Sequence, residues 1–131
     1  MIDLATLTGA VKVALGNDTA GLFSNNDEFS ASLLESSKRT FEPLWRLPIM
    51  KEHRETMKGS ASDLNNKGKT PYGGSSQAAA FLERFVEKDV EWAHLDIAGP
   101  AMASGAKPPV CNDGTGFGVH LLLDYIRNSG K

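Results

Sequence analysis

Three histidines are the residues of this chain whose type could most readily support metal or acid–base chemistry. His53, His94 and His120 lie too far apart in the sequence for any recognised metal-ligand spacing. His94 stands between Trp92 and Leu95 in an apolar segment of strand length. A packed, hydrogen-bonded imidazole is therefore favoured there over a metal ligand. The histidines alone predict no metal site.

Two aspartates also occupy apolar segments that have the length of strands. Asp3 lies early in residues 2–5, and Asp96 lies within residues 92–98. An unpaired buried carboxylate is costly, so each needs a partner. Pairing with a backbone donor or a basic residue is favoured. Metal coordination is the alternative, but the sequence shows no third and fourth ligand for a catalytic ion.

The segment I-D-L-A-T-L-T-G-A, residues 2–10, predicts a ligand-binding edge. A short apolar strand is followed by a turn of small residues and then by a predicted helix. Open α/β sheets bind ligands at such carboxyl ends of strands. Gly9 lacks a Cβ atom, which would let a ligand or another backbone approach closely. A tight strand-to-helix connection without a ligand is the alternative interpretation.

The sequence contains none of the short motifs that would mark a catalytic centre. A Gly-Lys-Ser/Thr phosphate loop, a G-x-S-x-G elbow and an H-E-x-x-H helix are all missing from it. On its own residues, the chain predicts a binding edge and no catalytic residue.

Around this edge, apolar periodicity predicts three strands and five helices. The strands are residues 2–5, 20–24 and 92–98, and the helices are residues 10–15, 27–39, 49–57, 78–86 and 117–126. Asn25 with Glu28 has the spacing of a capping box, and Ser75 is a plausible N-cap. Residues 44–47, between two prolines, are expected to form an extended connector. Residues 59–76 and 101–115 are expected to be irregular.

Strands alternating with helices predict an α/β fold with a mainly parallel sheet and flanking helices. Three parallel strands cannot protect both of their edges. We therefore expect the 131 residues to be part of a larger domain.

Composition excludes several classes of function. Fourteen basic and sixteen acidic residues give a net charge of -2 without a basic cluster, so no nucleic-acid interface is predicted. No apolar run reaches the length of a membrane span, and the N-terminus has no signal-peptide pattern. The single cysteine, Cys111, rules out an internal disulfide and fits a reducing compartment. A cytoplasmic protein is expected.

Several motifs, in order along nearly the whole chain, resemble the leucine aminopeptidase (cytosol aminopeptidase) family. They are I-D-L-A-T-L-T-G-A, W-R-L-P, A-S-D-L-N-N-K-G, A-A-A-F-L-E-R-F, W-A-H-L-D-I-A-G and T-G-F-G-V. The match is to the C-terminal part of the family's catalytic domain. The resemblance implies that residues 1–131 are an incomplete C-terminal portion of a larger α/β/α zinc-exopeptidase-like domain.

The resemblance also implies an activity for the parent protein. The family removes N-terminal residues such as leucine from peptides, using two divalent metal ions, zinc or manganese, and a bicarbonate. The metal ligands lie upstream of the residues that match here, so the isolated chain is expected to be inactive. The family assembles as homo-hexamers. Alternatives are a non-catalytic structural or binding role within the hexamer, and DNA binding, which the net charge disfavours.

Five residues match the family's substrate-contacting positions. Thr6, Leu7 and Gly9 match one wall, where the backbone of Leu7 would reach the substrate and the bicarbonate. Ala98 and Ala101 match the opposite wall of the pocket for the N-terminal side chain. The resemblance assigns no catalytic residue and no metal ligand to this chain.

Overall fold

A computed structural model describes residues 1–103 and 113–129. Cys111 and most of the predicted irregular stretch 101–115 lie outside them. In chain order the elements are β1 Ile2–Ala5, α1 Gly9–Leu15, β2 Ala20–Ser24, α2 Asp27–Thr40, β3 Leu44–Arg46, α3 Lys51–Thr56, α4 Gly74–Glu83, β4 Ala93–Asp96, β5 Met102–Ala103, β6 Asp113–Gly114 and α5 Val119–Asn128.

The main sheet has four strands in the order β1-β4-β2-β3. The β1–β4 and β2–β3 pairs are parallel, and the β2–β4 pair is antiparallel. This confirms an α/β fold with a mainly parallel sheet and flanking helices. β5 and β6 form a separate antiparallel pair.

The segment between the two prolines is a strand, which corrects the prediction of a connector. β3 pairs with β2 over Leu44–Arg46, and the flanking residues extend the ladder through Ala20 N to Pro43 O and Leu47 N to Leu22 O. Prolines are tolerated at the ends of an edge strand because they need not donate to the ladder. Only Leu44 of the strand is buried, so the sequence shows no apolar alternation there.

Helices cover both faces of the main sheet. On one face, apolar residues of β2 and β4 pack with Phe29 and Leu33 of α2 and Leu121 of α5. On the other face, Phe23 and Trp92 pack with Ala79 of α4. None of the helices in residues 1–103 and 113–129 is long and apolar enough to cross a membrane.

The N-cap of α2 is one residue later than predicted. Asn26 Oδ1 accepts the hydrogen bond from Phe29 N at 2.8 Å. The side chain of Asn25 instead accepts from Trp92 N at 2.8 Å and donates to Val90 O at 2.9 Å. The two asparagines are equivalent as cap residues, so only the tertiary contact with the segment before β4 distinguishes them.

α4 begins and ends earlier than the predicted residues 78–86. Ser75 lies inside the helix, and its N-cap is Gly73, with a φ of 66°. A left-handed φ strains any residue that carries a Cβ atom, so glycine suits this position. Phe85, predicted to face the core, lies beyond the helix and is 68% exposed.

Candidate functional site

The carboxyl ends of β1 and β4 meet at one edge of the main sheet. In their parallel register Ala5 is opposite Asp96. Ile97 N donates to Ala5 O at 2.9 Å, which extends the pairing by one residue. The turn that follows β1 and the turn that follows β4 therefore lie side by side. This is the edge at which open α/β sheets bind ligands.

Asp96 joins the two turns through its carboxylate, although the side chain is fully buried. Its Oδ1 accepts hydrogen bonds from Leu7 N at 3.1 Å, Thr8 N at 3.4 Å and Ala98 N at 3.3 Å. Its Oδ2 accepts from the Thr8 hydroxyl at 2.7 Å. The prediction that Asp96 pairs with backbone donors is confirmed.

Thr8 is a residue of this edge that the sequence analysis missed. Its Oγ1 accepts from Val11 N at 3.1 Å and so caps the N-terminus of α1. The same hydroxyl donates to Asp96. A threonine immediately before a predicted helix is a cap signal, which could have identified it.

The five predicted substrate residues lie on these two turns or directly beside them. Thr6 and Leu7 are in the β1–α1 connection, Gly9 is the first residue of α1, and all three are exposed. Ala98 and Ala101 follow β4 and are half-buried. The structure therefore places both groups at one sheet edge, and a single oxygen of the Asp96 carboxylate binds Leu7 N and Ala98 N.

Gly9 has open space around it. A Cβ atom placed on it would meet no heavy atom within 4 Å among the described residues, and its φ is not in the left-handed region. Neither packing nor backbone conformation within this part of the chain explains a glycine at this position.

A second polar cluster lies further back on the same two strands. Asp3 accepts hydrogen bonds from Trp92 Nε1 at 2.6 Å and His94 Nδ1 at 2.5 Å. Burial raises the pKa of Asp3, but these two hydrogen bonds outweigh it and hold the pKa below its ordinary value. Asp3 thus connects β1 to both Trp92 and His94.

His94 is fully buried and stacks with the rings of both Phe23 and Trp92. The prediction of a packed, hydrogen-bonded histidine is confirmed. Its Nε2 atom finds no hydrogen-bond partner among the residues that the structure describes.

The described residues offer no metal site of their own. Within 1–103 and 113–129, no group of three or more His, Cys, Asp or Glu side chains is placed to hold a metal ion. His53 instead accepts a hydrogen bond from Met50 N at 3.0 Å, at the start of α3. Since a catalytic ion needs about three protein ligands, these residues do not fit one without help from elsewhere.

Comparison with known proteins gives one consistent family. The model of the cytosol aminopeptidase family, catalytic domain, matches residues 1–123. Probable cytosol aminopeptidases of Sinorhizobium fredii and Chloroherpeton thalassium are 51% and 50% identical over 127 and 132 residues. These alignments cover 97% and 98% of this chain, but only 25% of each relative. The chain thus spans about a quarter of the length of the curated relatives it matches.

Two solved structures share the fold. A tomato leucine aminopeptidase mutant superposes with a TM-score of 0.89 at 41% identity, covering 97% of this chain and 24% of that one. The bottromycin maturation enzyme BotP, in complex with Mn, superposes with a TM-score of 0.92 at 38% identity, covering 99% of this chain and 29% of that one.

Proposed function

The chain belongs to the cytosol aminopeptidase family, and on this premise we propose that the protein it comes from is a metal-dependent aminopeptidase. Its substrates would be peptides, from which it releases N-terminal residues such as leucine. The observation that carries the proposal is the family match over residues 1–123, joined to the position of two of the matching motifs, residues 2–10 and 92–99, at one sheet edge.

In this proposal the chain supplies two walls of the substrate pocket. Thr6, Leu7 and Gly9 form one wall, and Ala98 and Ala101 form the other. The open space around Gly9 supports this assignment, because nothing within the described chain requires a glycine there. The small side chains of the two alanines leave room for a leucine-sized group, whose burial contributes roughly 1.5–3 kcal/mol.

Two divalent metal ions, zinc or manganese, would complete the site, and a bicarbonate would assist. When bound, such ions polarise a carbonyl group and activate a water molecule. As the family resemblance implies, their ligands would lie upstream of this chain; residues 1–103 and 113–129 hold no suitable cluster. This chain's part would be to bind and orient the peptide. The Mn complex of BotP, a structural relative, is consistent with a manganese-binding parent protein.

The remaining features of the proposal concern the whole protein. Residues 1–131 would be a C-terminal portion of its catalytic domain, inactive in isolation, and six copies would assemble in the cytoplasm. The net charge of -2 gives no support for a nucleic-acid partner.

The decisive test is the activity of the longer protein that includes this chain. Purified in apo form, it should release leucine from leucyl-p-nitroanilide only after Mn²⁺ or Zn²⁺ is added, and EDTA should reverse this. Glu35→Gln, which removes only an exposed ion pair with Lys38 on α2, is the control for unspecific effects and should retain full activity. A hexamer that binds metal yet cleaves no aminoacyl substrate would contradict the proposal and favour a non-catalytic structural role.

A further inference from the structure

The backbone of the turn after β1 is held in one orientation by the Asp96 carboxylate. The N–H groups of Leu7 and Thr8 both point to Asp96 Oδ1, at 3.1 and 3.4 Å. In a planar trans peptide the C=O group points away from the N–H group of the same unit. The carbonyl of Thr6 shares its unit with Leu7 N, and the carbonyl of Leu7 shares its unit with Thr8 N. Both carbonyls are therefore directed away from Asp96.

These two carbonyls have no partner in the rest of the turn. Among the described residues, neither the Thr6 nor the Leu7 oxygen accepts a hydrogen bond, whereas Ala5 O, one residue earlier, accepts from Ile97 N. Thr6 and Leu7 are also exposed. Two acceptors, fixed in direction and uncommitted, thus stand at the carboxyl end of β1. Backbone N–H groups of an extended peptide are the donors that such a pair accepts.

The Asp96 carboxylate also holds the turn that contains Ala98 and the N-terminus of α1. Ala98 N donates to the same Oδ1 atom at 3.3 Å. The Thr8 hydroxyl donates to Oδ2 and accepts from Val11 N, so it links Asp96 to the N-terminus of α1. Asp96 is completely buried, so removing its carboxylate would leave several backbone donors without their partner.

We propose that Asp96 is the positioning residue of the peptide site: it holds the two turns together and aims the Thr6 and Leu7 carbonyls at the backbone N–H groups of the bound peptide. This inference rests on the proposed aminopeptidase function. Asp96 itself does not touch the substrate.

Asp3 provides a matched comparison on the same two strands. It also joins β1 to the β4 region, through Trp92 and His94, but among the described residues it makes no hydrogen bond to either turn. A role that is merely structural would give the two aspartates similar consequences for catalysis. A positioning role makes Asp96 alone affect how the enzyme recognises a peptide N–H.

The test uses the longer protein with its metal ions and a pair of substrates. One is leucylglycine, and the other is its ester analogue, in which oxygen replaces the scissile N–H. The ratio of kcat/KM for the two substrates is measured for wild type, Asp96→Ala, Asp96→Asn and Asp3→Asn. Asp96→Ala should lower kcat/KM for leucylglycine about 100-fold, as expected when a reacting group is displaced by about 1 Å.

In Asp96→Ala, kcat/KM for the ester should fall about tenfold less than kcat/KM for the peptide. The ester lacks the N–H group that would donate a hydrogen bond to the carbonyl, and a single neutral hydrogen bond contributes up to about tenfold. Asp96→Asn keeps an acceptor oxygen, so its peptide-to-ester ratio of kcat/KM should lie between those of wild type and Asp96→Ala. It also provides a variant if the alanine substitution fails to fold. Asp3→Asn should change stability but leave the ratio within about twofold of wild type.

Equal losses on both substrates in the Asp96 variants, or an altered ratio in Asp3→Asn, would overturn the inference while leaving the proposed activity intact. A wild-type protein without aminopeptidase activity would instead contradict the proposed function.

Discussion

Gly9 offers the clearest separation between a ligand-facing turn and an ordinary helix start. A Cβ atom at this position meets nothing within 4 Å in the described structure, and no left-handed φ restricts the choice of residue. Gly9→Ala should therefore stabilise the protein by roughly 0.5–1 kcal/mol, through lower entropy of the unfolded chain. In Gly9→Val, restricted χ1 freedom offsets part of this gain, so the free energy of unfolding should stay within about 1 kcal/mol of wild type.

Activity should respond very differently from stability. If Gly9 borders the pocket, the branched side chain of valine occupies space that a substrate leucine would otherwise fill. Losing the burial of that leucine removes roughly 1.5–3 kcal/mol of binding. At about 1.4 kcal/mol per factor of ten, kcat/KM for leucyl substrates should fall roughly 10- to 100-fold or more. Gly9→Ala adds only one methyl group, so its kcat/KM should lie between those of wild type and Gly9→Val.

The measurement pairs chemical denaturation with steady-state kinetics on leucyl-p-nitroanilide in the longer protein. Gly21→Ala is the control, because its new Cβ atom would lie 2.9 Å from Val11 Cγ2 in the buried interface between β2 and α1. It should destabilise by about 1–3 kcal/mol through overpacking, which gives the loss of stability that a clashing Cβ atom causes and that Gly9→Val should not show. Near-normal activity in Gly9→Val would show that Gly9 only starts a helix and would refute the assignment of this wall.

Three further outcomes are expected. The larger side chain of Ala98→Leu should fill the pocket beside the second wall and shift the leucine-to-alanine ratio of kcat/KM by about 10- to 100-fold towards alanine. The reason is that discrimination between substrates is about 1–3 kcal/mol per methylene. An unchanged ratio in steady-state kinetics would place Ala98 in the core. Because the pKa of Asp3 is lowered in the folded state, its stabilising effect is complete above the unfolded pKa and is lost as the pH falls through the folded pKa; urea titrations should show a weaker loss of stability below about pH 4 in Asp3→Asn than in wild type. Equilibrium dialysis of the isolated 131-residue chain should detect no tight, stoichiometric zinc or manganese site, and one such site would contradict the assignment of all metal ligands to other parts of the protein.

Local sequence patterns were sufficient for those elements whose burial is visible in the residue types. Ala20–Ser24 is almost wholly buried and apolar, and α2 carries its buried residues at helical spacing, so both were predicted within a residue of their ends. β3 was missed because two of its three residues, Trp45 and Arg46, are exposed. Its strand conformation comes from pairing with β2, which no pattern within three residues can reveal.

The site could be predicted only in part, for a similar reason. The sequence indicates that Asp96 needs a partner, because a carboxylate stands at the end of an apolar strand. Ala98 lies only two residues away, but the partners in the other turn, Leu7 and Thr8, lie 89 and 88 residues away in the sequence. They become neighbours only because β1 and β4 are adjacent in the sheet, although two strands and four helices lie between them in the chain. The order β1-β4-β2-β3 was not predicted, and without it no spacing rule joins Thr8 to Asp96.

The two strand aspartates illustrate how similar residues acquire different roles from their place in the sheet. Asp3 lies opposite His94, in the middle of the parallel pair, where its neighbours are side chains of the core. Asp96 lies opposite Ala5, the last residue of β1, so the groups beyond it are the free N–H groups of a turn. A strand that ends leaves backbone donors without a ladder partner, and a buried carboxylate at that point can satisfy several of them at once. The same hydrogen bonds that pay the cost of burying Asp96 necessarily turn the opposite carbonyls outward, towards the space in which a peptide would bind.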